Sequence, residues 1–473
     1  MTRRAWVRLD NASNIFLAAR TDADPKVFRL TAELDHDVDP IVLQDALDTT
    51  YARYPLYHAV LRRGVFWHYL QDSDLRPVVG PEDQYTSAPI YHPDRVELLF
   101  RVVYHRRRIV LEVFHALSDG TGALWFLTDL VEEYVTRRLD GSTSTTPQTP
   151  ARTDADAKPT HGLTDDSFGH YFRRRRRELS RRHADTSAEH SVFSGAAVAP
   201  ALRIDPGNTS TADDDVPLHE YHQSPRKVFR VTGTRTPDNR PRMVEFTLPA
   251  KEVLALAKAE GVSLTMYLLA VFFESVRRSS GDLGDRRTFT ASVPVNLRQF
   301  FPSTSARNFF ATVRVEHTYG TGADDFGSIC RELETQLREK VTPDALEKKL
   351  RRFIRLERMP ALRILPRPFK DAILATVNWG TNRGLTVAIS NLGVVRLPEP
   401  AESHVGRMLF HVSAVRPQFC AISHAGLLTI SFTSPFTDTA HIKEFARILT
   451  TQGVEVSVAA TRVTEEELAG ATP

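Results

Sequence analysis

The chain of 473 residues contains only two cysteines, Cys330 and Cys420, and their spacing matches no paired motif. This excludes a disulfide framework and a cysteine-based zinc site, so a reducing cytoplasm is the expected compartment. Long apolar runs are also missing. No stretch approaches the roughly 18 apolar residues of a membrane span, and the basic start of the chain lacks the apolar segment of a signal peptide.

Charge of one sign is in small excess, with a formal net charge of +3. This excess is too weak to indicate a nucleic-acid partner, and none is expected. The chain also lacks a G-x-S-x-G nucleophile turn, a phosphate-binding Walker loop and a strand-linked G-x-G-x-x-G segment. These absences disfavour a serine hydrolase and the common nucleotide-binding sites.

Three regions differ in composition. Residues 1–140 mix helical and strand patterns, residues 141–225 are rich in Ser, Thr, Pro and Asp, and residues 226–473 again alternate strands and helices. Such alternation in both halves predicts two α/β or α+β domains of similar size. The middle region is predicted to be a polar, partly disordered linker with one short arginine-rich helix. We interpret its arginine run, residues 173–177, as a solvated face, with binding of CoA phosphates as the alternative.

Local patterns predict several elements. Asp39 is a candidate helix N-cap ahead of Pro40, and two hairpins are expected, with turns at Gly64 and at 105–107. In the third region we predict a strand over 242–249, two helices after it, the second of them buried, and a closing helix over 439–451.

The segment "VFHALSDGTGALWFLTDL", residues 113–130, suggests chemistry. A strand ends at Phe114, and a turn holds His115, Asp119 and Gly120 before an amphipathic helix. Histidine suits proton transfer near neutral pH. Asp119 can orient the turn or pair with a cation, and Gly120 allows the backbone to reverse. The alternative is an ordinary histidine with no chemical role. No metal site is expected here, because no second histidine or glutamate cluster supplies further ligands.

The segment "HALSDG" resembles the HxxxDG motif of the chloramphenicol-acetyltransferase-like superfamily, which includes alcohol O-acetyltransferases and peptide-synthetase condensation domains. Further segments resemble, in order, landmarks of its bacterial alcohol-acetyltransferase-like members: "RLDNASNIF", "RYPLYHAVLRRGVFWHYL", "PVNLRQFFPSTSARNFF" and "AISNLG". The similarity covers residues 5–135 and 226–460. Two departures are clear: Phe114 stands where condensation domains carry a first histidine, and the DFGWG motif of the plant branch is missing.

The resemblance implies an α/β (α+β) fold of two similar domains that form a V around a central channel. His115 would act there as general base, without a covalent intermediate. An acyl group, expected to be acetyl, would move from acyl-CoA to an alcohol. Asp119 would form a structural ion pair with Arg298. Asn308, Asn391 and, less directly, Ser390 are candidates for lining the channel or for binding an oxyanion, with structural roles in turns as the alternative.

Two other functions remain open. One is transfer to an amine, or condensation chemistry with a carrier-protein thioester as donor. The other is a non-catalytic binding or scaffold protein of the same fold. We expect no permanently bound cofactor and no metal, a small-molecule alcohol or amine acceptor, acyl-CoA (acetyl-CoA) as cosubstrate, and a monomer.

Overall fold

The computed structural model describes residues 5–9, 11–143, 161–165, 167–168, 171, 228–236, 240–281, 286–358 and 366–461. The predicted linker over 141–225, with its arginine run, lies almost entirely outside these residues, so its helix stays a prediction.

Strands near the N-terminus form two sheets. The larger has five strands, ordered β12 (Val405–Val412), β2 (Val27–Leu34), β7 (Arg108–Phe114), β6 (Phe100–His105) and β5 (Gly80–Pro81). The smaller has three strands, ordered β1 (Trp6–Arg8), β4 (His68–Asp72) and β3 (Ala59–Arg63). Both predicted hairpins are confirmed, since β3 pairs antiparallel with β4 and β6 with β7. The apolar run "IVLEVF" makes β7 a strand that is buried along its whole length after Arg108, as a central strand covered on both faces requires.

A third sheet, of seven strands, belongs to the later part of the chain. Its order is β10 (Phe310–Tyr319), β9 (Arg287–Asn296), β11 (Val387–Val394), β13 (Gln418–His424), β14 (Leu427–Ser434), β8 (Arg242–Pro249) and β15 (Ser457–Ala460). The predicted strand over 242–249 is confirmed as β8.

One strand crosses between the two halves. β12 pairs antiparallel with β2, from Met408 opposite Ala32 to Val412 opposite Phe28. The first sheet is therefore completed by residues from far along the chain, and residues 1–140 do not build it alone. The division of the chain at 140 and 226 stays a prediction.

Helices cover these sheets. They are α1 (Asn11–Ala18), α2 (Pro40–Arg53), α3 (Gly120–Thr143), α4 (Ala250–Ala259), α5 (Leu264–Ser279), α6 (Phe326–Lys340), α7 (Pro343–Arg358), α8 (Arg367–Arg383), α9 (Ala401–His404) and α10 (Ala440–Thr451). Asp39 caps α2 as predicted, because its carboxylate accepts from the backbone N–H groups of Ile41 and Val42. The mixed helix-and-sheet class that the sequence predicts is confirmed.

Two large apolar cores lie beneath these elements. The first joins β2, β6, β7, α2 and α3, and the second surrounds α5, whose residues from Met266 to Val276 are all buried. The prediction that the second helix of this region is buried is therefore confirmed. Among the described helices, no single one is long and apolar enough to cross a membrane; α4 and α5 pass that test only as a pair bent by 84°.

Candidate active site

His115 directly follows β7, at the edge of the first sheet where β2 begins. Its backbone N–H donates to the carbonyl oxygen of Lys26 at 2.8 Å. Its carbonyl oxygen accepts from Nδ2 of Asn308 at 2.8 Å. The backbone of His115 is thus held on one side by the strand neighbour in the first half and on the other by a residue of the second half.

Aromatic rings surround the imidazole. The Phe16 ring stacks on it, with centroids 3.8 Å apart and planes 13° from parallel. Phe28 meets it edge-on at 4.9 Å, and the Phe310 ring lies at 5.9 Å. The side chain is half-buried, and its Nδ1 is buried without a hydrogen-bond partner among the described residues. The ring is therefore fixed mainly by packing.

This apolar surrounding changes the acidity of the ring. Burial lowers the pKa of His115 to about 4, against the opposing effect of the Asp119 carboxylate, and the Lys26 ammonium lowers it further. Burial acts this way because it penalises the charged imidazolium. At neutral pH the ring is uncharged, and one nitrogen lone pair is available to accept a proton.

Asp119 directs its carboxylate away from the imidazole. Oδ1 accepts from the backbone N–H of Gly122 at 2.8 Å, which caps the start of α3. Oδ2 accepts from Nη1 of Arg298 at 2.7 Å and from the backbone N–H of Phe309 at 2.8 Å. Both oxygens are thus occupied by groups other than His115. The structure places Asp119 and Arg298 in the pairing that the resemblance implies.

Arg298 also fastens the segment that follows it. Nη2 donates to the carbonyl oxygens of Ser305 and Arg307, each at 2.7 Å. The side chains of Arg298 and Asp119 are only 7% and 6% exposed. A planar guanidinium can serve one carboxylate and two carbonyls at once, which a lysine ammonium does not reproduce with the same geometry. The pair therefore fixes the loop that carries Asn308.

Asn308 links this network to the base. It is buried, and Nδ2 donates both to the His115 carbonyl and to the Ser13 hydroxyl, at 2.8 and 2.9 Å. Oδ1, an acceptor, is buried without a partner among the described residues. An oxyanion needs a donor, and both hydrogens of Nδ2 are already used. This arrangement favours a positioning role for Asn308.

Gly120 does not have the role that the sequence predicts, which is to let the backbone reverse. It begins α3 and is not among the residues with positive φ, so the left-handed freedom of glycine is not what the turn uses. The lack of a side chain matters because a Cβ at this position would lie 3.0 Å from Cδ2 of Leu392. The strand "AISNLG" thereby contacts the histidine motif through Leu392.

Sequence reasoning missed Gly122 and Ser118, which bring the two halves into contact. A Cβ on Gly122 would lie 2.2 Å from the carbonyl oxygen of Ala306. The Ser118 hydroxyl donates to that same oxygen at 2.5 Å. The second glycine of "SDGTG" is the available signal in the sequence. However, a glycine is required there because of Ala306, which is distant in sequence.

Asn391 and Ser390 lie outside this network. Asn391 donates to the Thr265 hydroxyl at 3.0 Å and accepts from the N–H of Gly393 at 2.8 Å, where φ is +76°. This is the turn-forming role that the sequence left open. Ser390 is half-buried on β11, opposite Cys420. In the described part of the chain, neither residue forms a hydrogen bond with His115.

Other reactive groups are placed elsewhere. Burial raises the pKa of both thiols, Cys330 and Cys420, to about 12, so neither is a ready nucleophile. Asp35, His36 and His404 bring three possible metal-ligand atoms within 4.8 Å of one another. They lie at the opposite end of β2 from His115, and Asp35 accepts from both imidazoles. This group is separate from the candidate active site.

Solved structures share this architecture over nearly the whole chain. Polyketide synthase associated protein 5 from Mycobacterium tuberculosis matches at a TM-score of 0.58 and 15% identity, over 95% of this chain and 98% of that one. The trichothecene 15-O-acetyltransferase of Fusarium sporotrichioides matches at 0.58 and 12%, over 95% and 94%. The first condensation domain of the calcium-dependent antibiotic synthetase matches at 0.53 and 16%, over 95% and 96%.

The chain has the two-lobed fold of the condensation domain and of the acetyltransferase. The resemblance drawn from the sequence is thus confirmed at the level of the fold. No protein-family model and no curated protein sequence matches the chain. At identities of 12–16% the likeness concerns the fold alone, so the chemistry must be argued from the residues.

Proposed function

We propose that this protein is a CoA-dependent acyltransferase that moves an acyl group, with acetyl as the first choice, from a thioester to an alcohol. The observation that carries the proposal is His115. It is an uncharged imidazole held at the contact between the two halves of the chain, in the HxxxDG setting of a fold shared with an acetyltransferase.

The chemistry needs one base and two aligned substrates. His115 removes the proton from the acceptor hydroxyl as its oxygen attacks the thioester carbonyl carbon. The tetrahedral intermediate then collapses, the carbon–sulfur bond breaks, and the leaving thiolate takes the proton from the imidazolium. The products are an ester, the free thiol and the neutral imidazole. Positioned acid–base catalysis of this kind is worth roughly 10²–10⁴-fold, and alignment of two bound substrates contributes further.

The other residues of the motif position the base. Asp119 and Arg298 hold the loop of Asn308, and Asn308 holds the His115 carbonyl. Phe16 limits rotation of the ring through its stacked contact. No covalent acyl-enzyme is needed, in keeping with two buried thiols whose pKa is raised.

The alcohol acceptor is supported by the similarity to a 15-O-acetyltransferase. Condensation domains have the same fold, so a carrier-bound thioester and an amine acceptor are the alternative pair of substrates. We further propose that the protein works as a monomer in the cytoplasm. Two halves of one chain supply all of the His115 network, and both cysteines are free and buried.

The test is acceptor-dependent thiol release from acetyl-CoA across a panel of alcohols and amines, with the acylated product identified by mass. A blank without acceptor corrects for hydrolysis and for the two protein thiols. Release with alcohols, matched by formation of an ester, is the expected result. Amide formation with amines alone would contradict the proposal that the acceptor is an alcohol. Release only from an acylated carrier protein would contradict CoA as donor.

A further inference from the structure

Helix α8 shows its apolar side to solvent. Phe369, Ile373 and Val377 follow one another at intervals of four residues and are 61%, 46% and 61% exposed. Trp379, two residues after Val377 and therefore outside this stripe, is also 59% exposed. No residue of α8 is buried. A surface helix normally turns such a stripe toward the core, so α8 is oriented the other way.

The polar side of α8 packs on the protein instead. Arg367 donates through Nη1 to the carbonyl oxygen of Gly64 at 3.2 Å. The Lys370 ammonium donates to the carbonyl oxygen of Phe66 at 3.1 Å and lies 3.4 Å from the centroid of the Trp67 ring. These contacts fasten α8 to the tip of the β3–β4 hairpin. The apolar side is left outward by this docking.

The hairpin tip continues the exposed apolar area. Val65 is 72% exposed and Phe66 is 45% exposed. Trp6, 62% exposed, is two residues before Arg8 on β1, and Arg8 stacks on the Trp67 ring at 3.2 Å. We call this surface the α8 face, and its residues are Trp6, Val65, Phe66, Phe369, Ile373 and Val377. Groups of exposed apolar side chains of this kind mark interaction sites.

Positive charge borders the α8 face. Helix α8 and residues 62–67 contain five Lys or Arg side chains and one carboxylate, Asp371. Arg383 lies over the Trp379 ring at 4.4 Å. A second copy docked by a two-fold axis would place these cations against their own copies. An anionic partner fits this charge, and an apolar one fits the exposed apolar side chains.

We propose that the α8 face binds the surface of a membrane that contains anionic lipid. An apolar stripe with aromatic side chains and flanking Lys and Arg is the pattern of helices that lie in the membrane interface. The apolar side chains would enter the headgroup boundary, and the net positive charge beside them would attract the anionic lipid phosphates. Tryptophans at the border fit the preference of that ring for the interface.

Helix α8 is also close to the candidate active site. α8 contacts α1, and α1 carries Phe16, the ring stacked on His115. Membrane binding would hold this side of the site near lipid. The proposal does not depend on the acyltransferase function, because binding can be measured without any substrate.

The experiment measures binding to vesicles of phosphatidylcholine alone and to vesicles of phosphatidylcholine mixed with phosphatidylglycerol. We expect binding to the mixed vesicles, weakened by added salt, and weak binding to the neutral ones. The double variant Phe369→Ser/Val377→Ser should bind at least about tenfold more weakly, because two inserted apolar side chains are lost. Arg383→Glu should weaken binding by about fivefold or more.

Ile41→Ser is the matched control, since Ile41 is 75% exposed and lies on α2, away from the α8 face. This variant should bind as the native protein does. Thermal unfolding of each variant checks folding, which solvent-facing substitutions should leave intact. Equal binding by the native protein and the Phe369→Ser/Val377→Ser variant would overturn the proposal. So would a native dimer in solution that this double variant dissociates, because a second copy would then cover the face.

Discussion

Burial keeps the imidazole of His115 uncharged, but a general base must also be reached by its substrate. The ring is packed by Phe16 and Phe28, which keeps it uncharged, yet the residue is not fully buried. A base with a low pKa is a weaker proton acceptor, but it is in the correct state at every pH near neutrality. Precise placement through Lys26 and Asn308 then becomes more important than basicity.

The activity should therefore resist acid further than an ordinary histidine allows. Burial lowers the pKa of His115 from 6.5 to about 4, so the neutral, active form persists as the pH falls through 6.5. The acid limb of kcat/KM should have its midpoint well below 6.5. The measurement is a pH profile with a neutral alcohol acceptor, with folding monitored at each pH. A midpoint near 6.5 would show that the imidazole is not desolvated as described.

Loss of Asp119 should be costly for both stability and turnover. Asp119→Ala leaves the buried Arg298 guanidinium without its carboxylate, which typically costs about 3–5 kcal/mol. It also frees the loop that positions Asn308. Chemical denaturation should show the loss. Asp48→Ala is the control, because Asp48 pairs with the exposed Arg76 and such surface pairs contribute little. Similar destabilisation by the two variants would contradict the role of the buried pair.

At the residue scale the motif was predictable, but its partners were only partly so. His115, Asp119 and Arg298 were identified from the sequence through the motif and the resemblance. The positioning role of Asn308 was not, because it depends on a hydrogen bond to a backbone carbonyl 193 residues away. Which atoms of an amide are already engaged is decided by tertiary contacts.

Among the elements, the start of α3 makes a close contact between the halves. Ser118, just before the helix, and Gly122, in its first turn, both approach the Ala306 carbonyl. Strand β7 and helix α3 were both predictable, since each shows a clear apolar pattern. The contact at Gly122 was not, because a glycine that admits a distant carbonyl looks like any other glycine in sequence.

Gly122→Ala should separate the halves locally. The added Cβ would lie 2.2 Å from the Ala306 oxygen, so the loop of Asn308 must move, and both turnover and thermal stability should fall. Gly141→Ala in the same helix is the control, because nothing lies within 4 Å of its Cβ position and alanine has the better helix propensity by about 1 kcal/mol. That variant should be as stable as the native protein or more so. Equal behaviour of the two variants would contradict the close contact.

The helices α6, α7 and α8 have no counterpart among the predictions from sequence. Helix α8 shows why such segments are difficult to predict from sequence. An apolar stripe usually indicates the side of a helix that faces the core, but the stripe of α8 faces solvent. The orientation is set by contacts of Arg367 and Lys370 with a hairpin that lies some 300 residues earlier.

At the scale of the whole molecule, there are two large apolar cores, and one strand of the later half, β12, joins the sheet of the first half. The two-domain class was predictable from the alternation of strands and helices. The crossing of β12 to β2 was not, because β12 reads as an ordinary strand and its partner is chosen by the fold. The crossing also buries His411 among Arg29, Arg108 and Glu245.

Stability should fall in mild acid. Burial lowers the pKa of His68 and His441 to about 4 and that of His411 to about 3. Below about 6.5 the unfolded chain binds protons that the native protein does not. The free energy of unfolding should then fall by up to about 1.4 kcal/mol per pH unit for each such histidine. Urea denaturation over this range measures it.

His411→Gln should reduce this pH dependence, because it removes one group that must stay neutral in the folded protein. His105→Gln, at an exposed position, is the control and should keep the native slope. If the slope of His411→Gln equals that of the native protein, His411 is not held neutral by the fold.

The central claim is that His115 is the base for acyl transfer, and the most direct measurement compares His115→Ala with the native protein. Both are assayed for acceptor-dependent release of CoA at saturating acetyl-CoA, and thermal unfolding is recorded for each. The account predicts a rate lower by roughly 10²–10⁴-fold with little change in unfolding temperature. A folded His115→Ala protein that retains the native rate would contradict it.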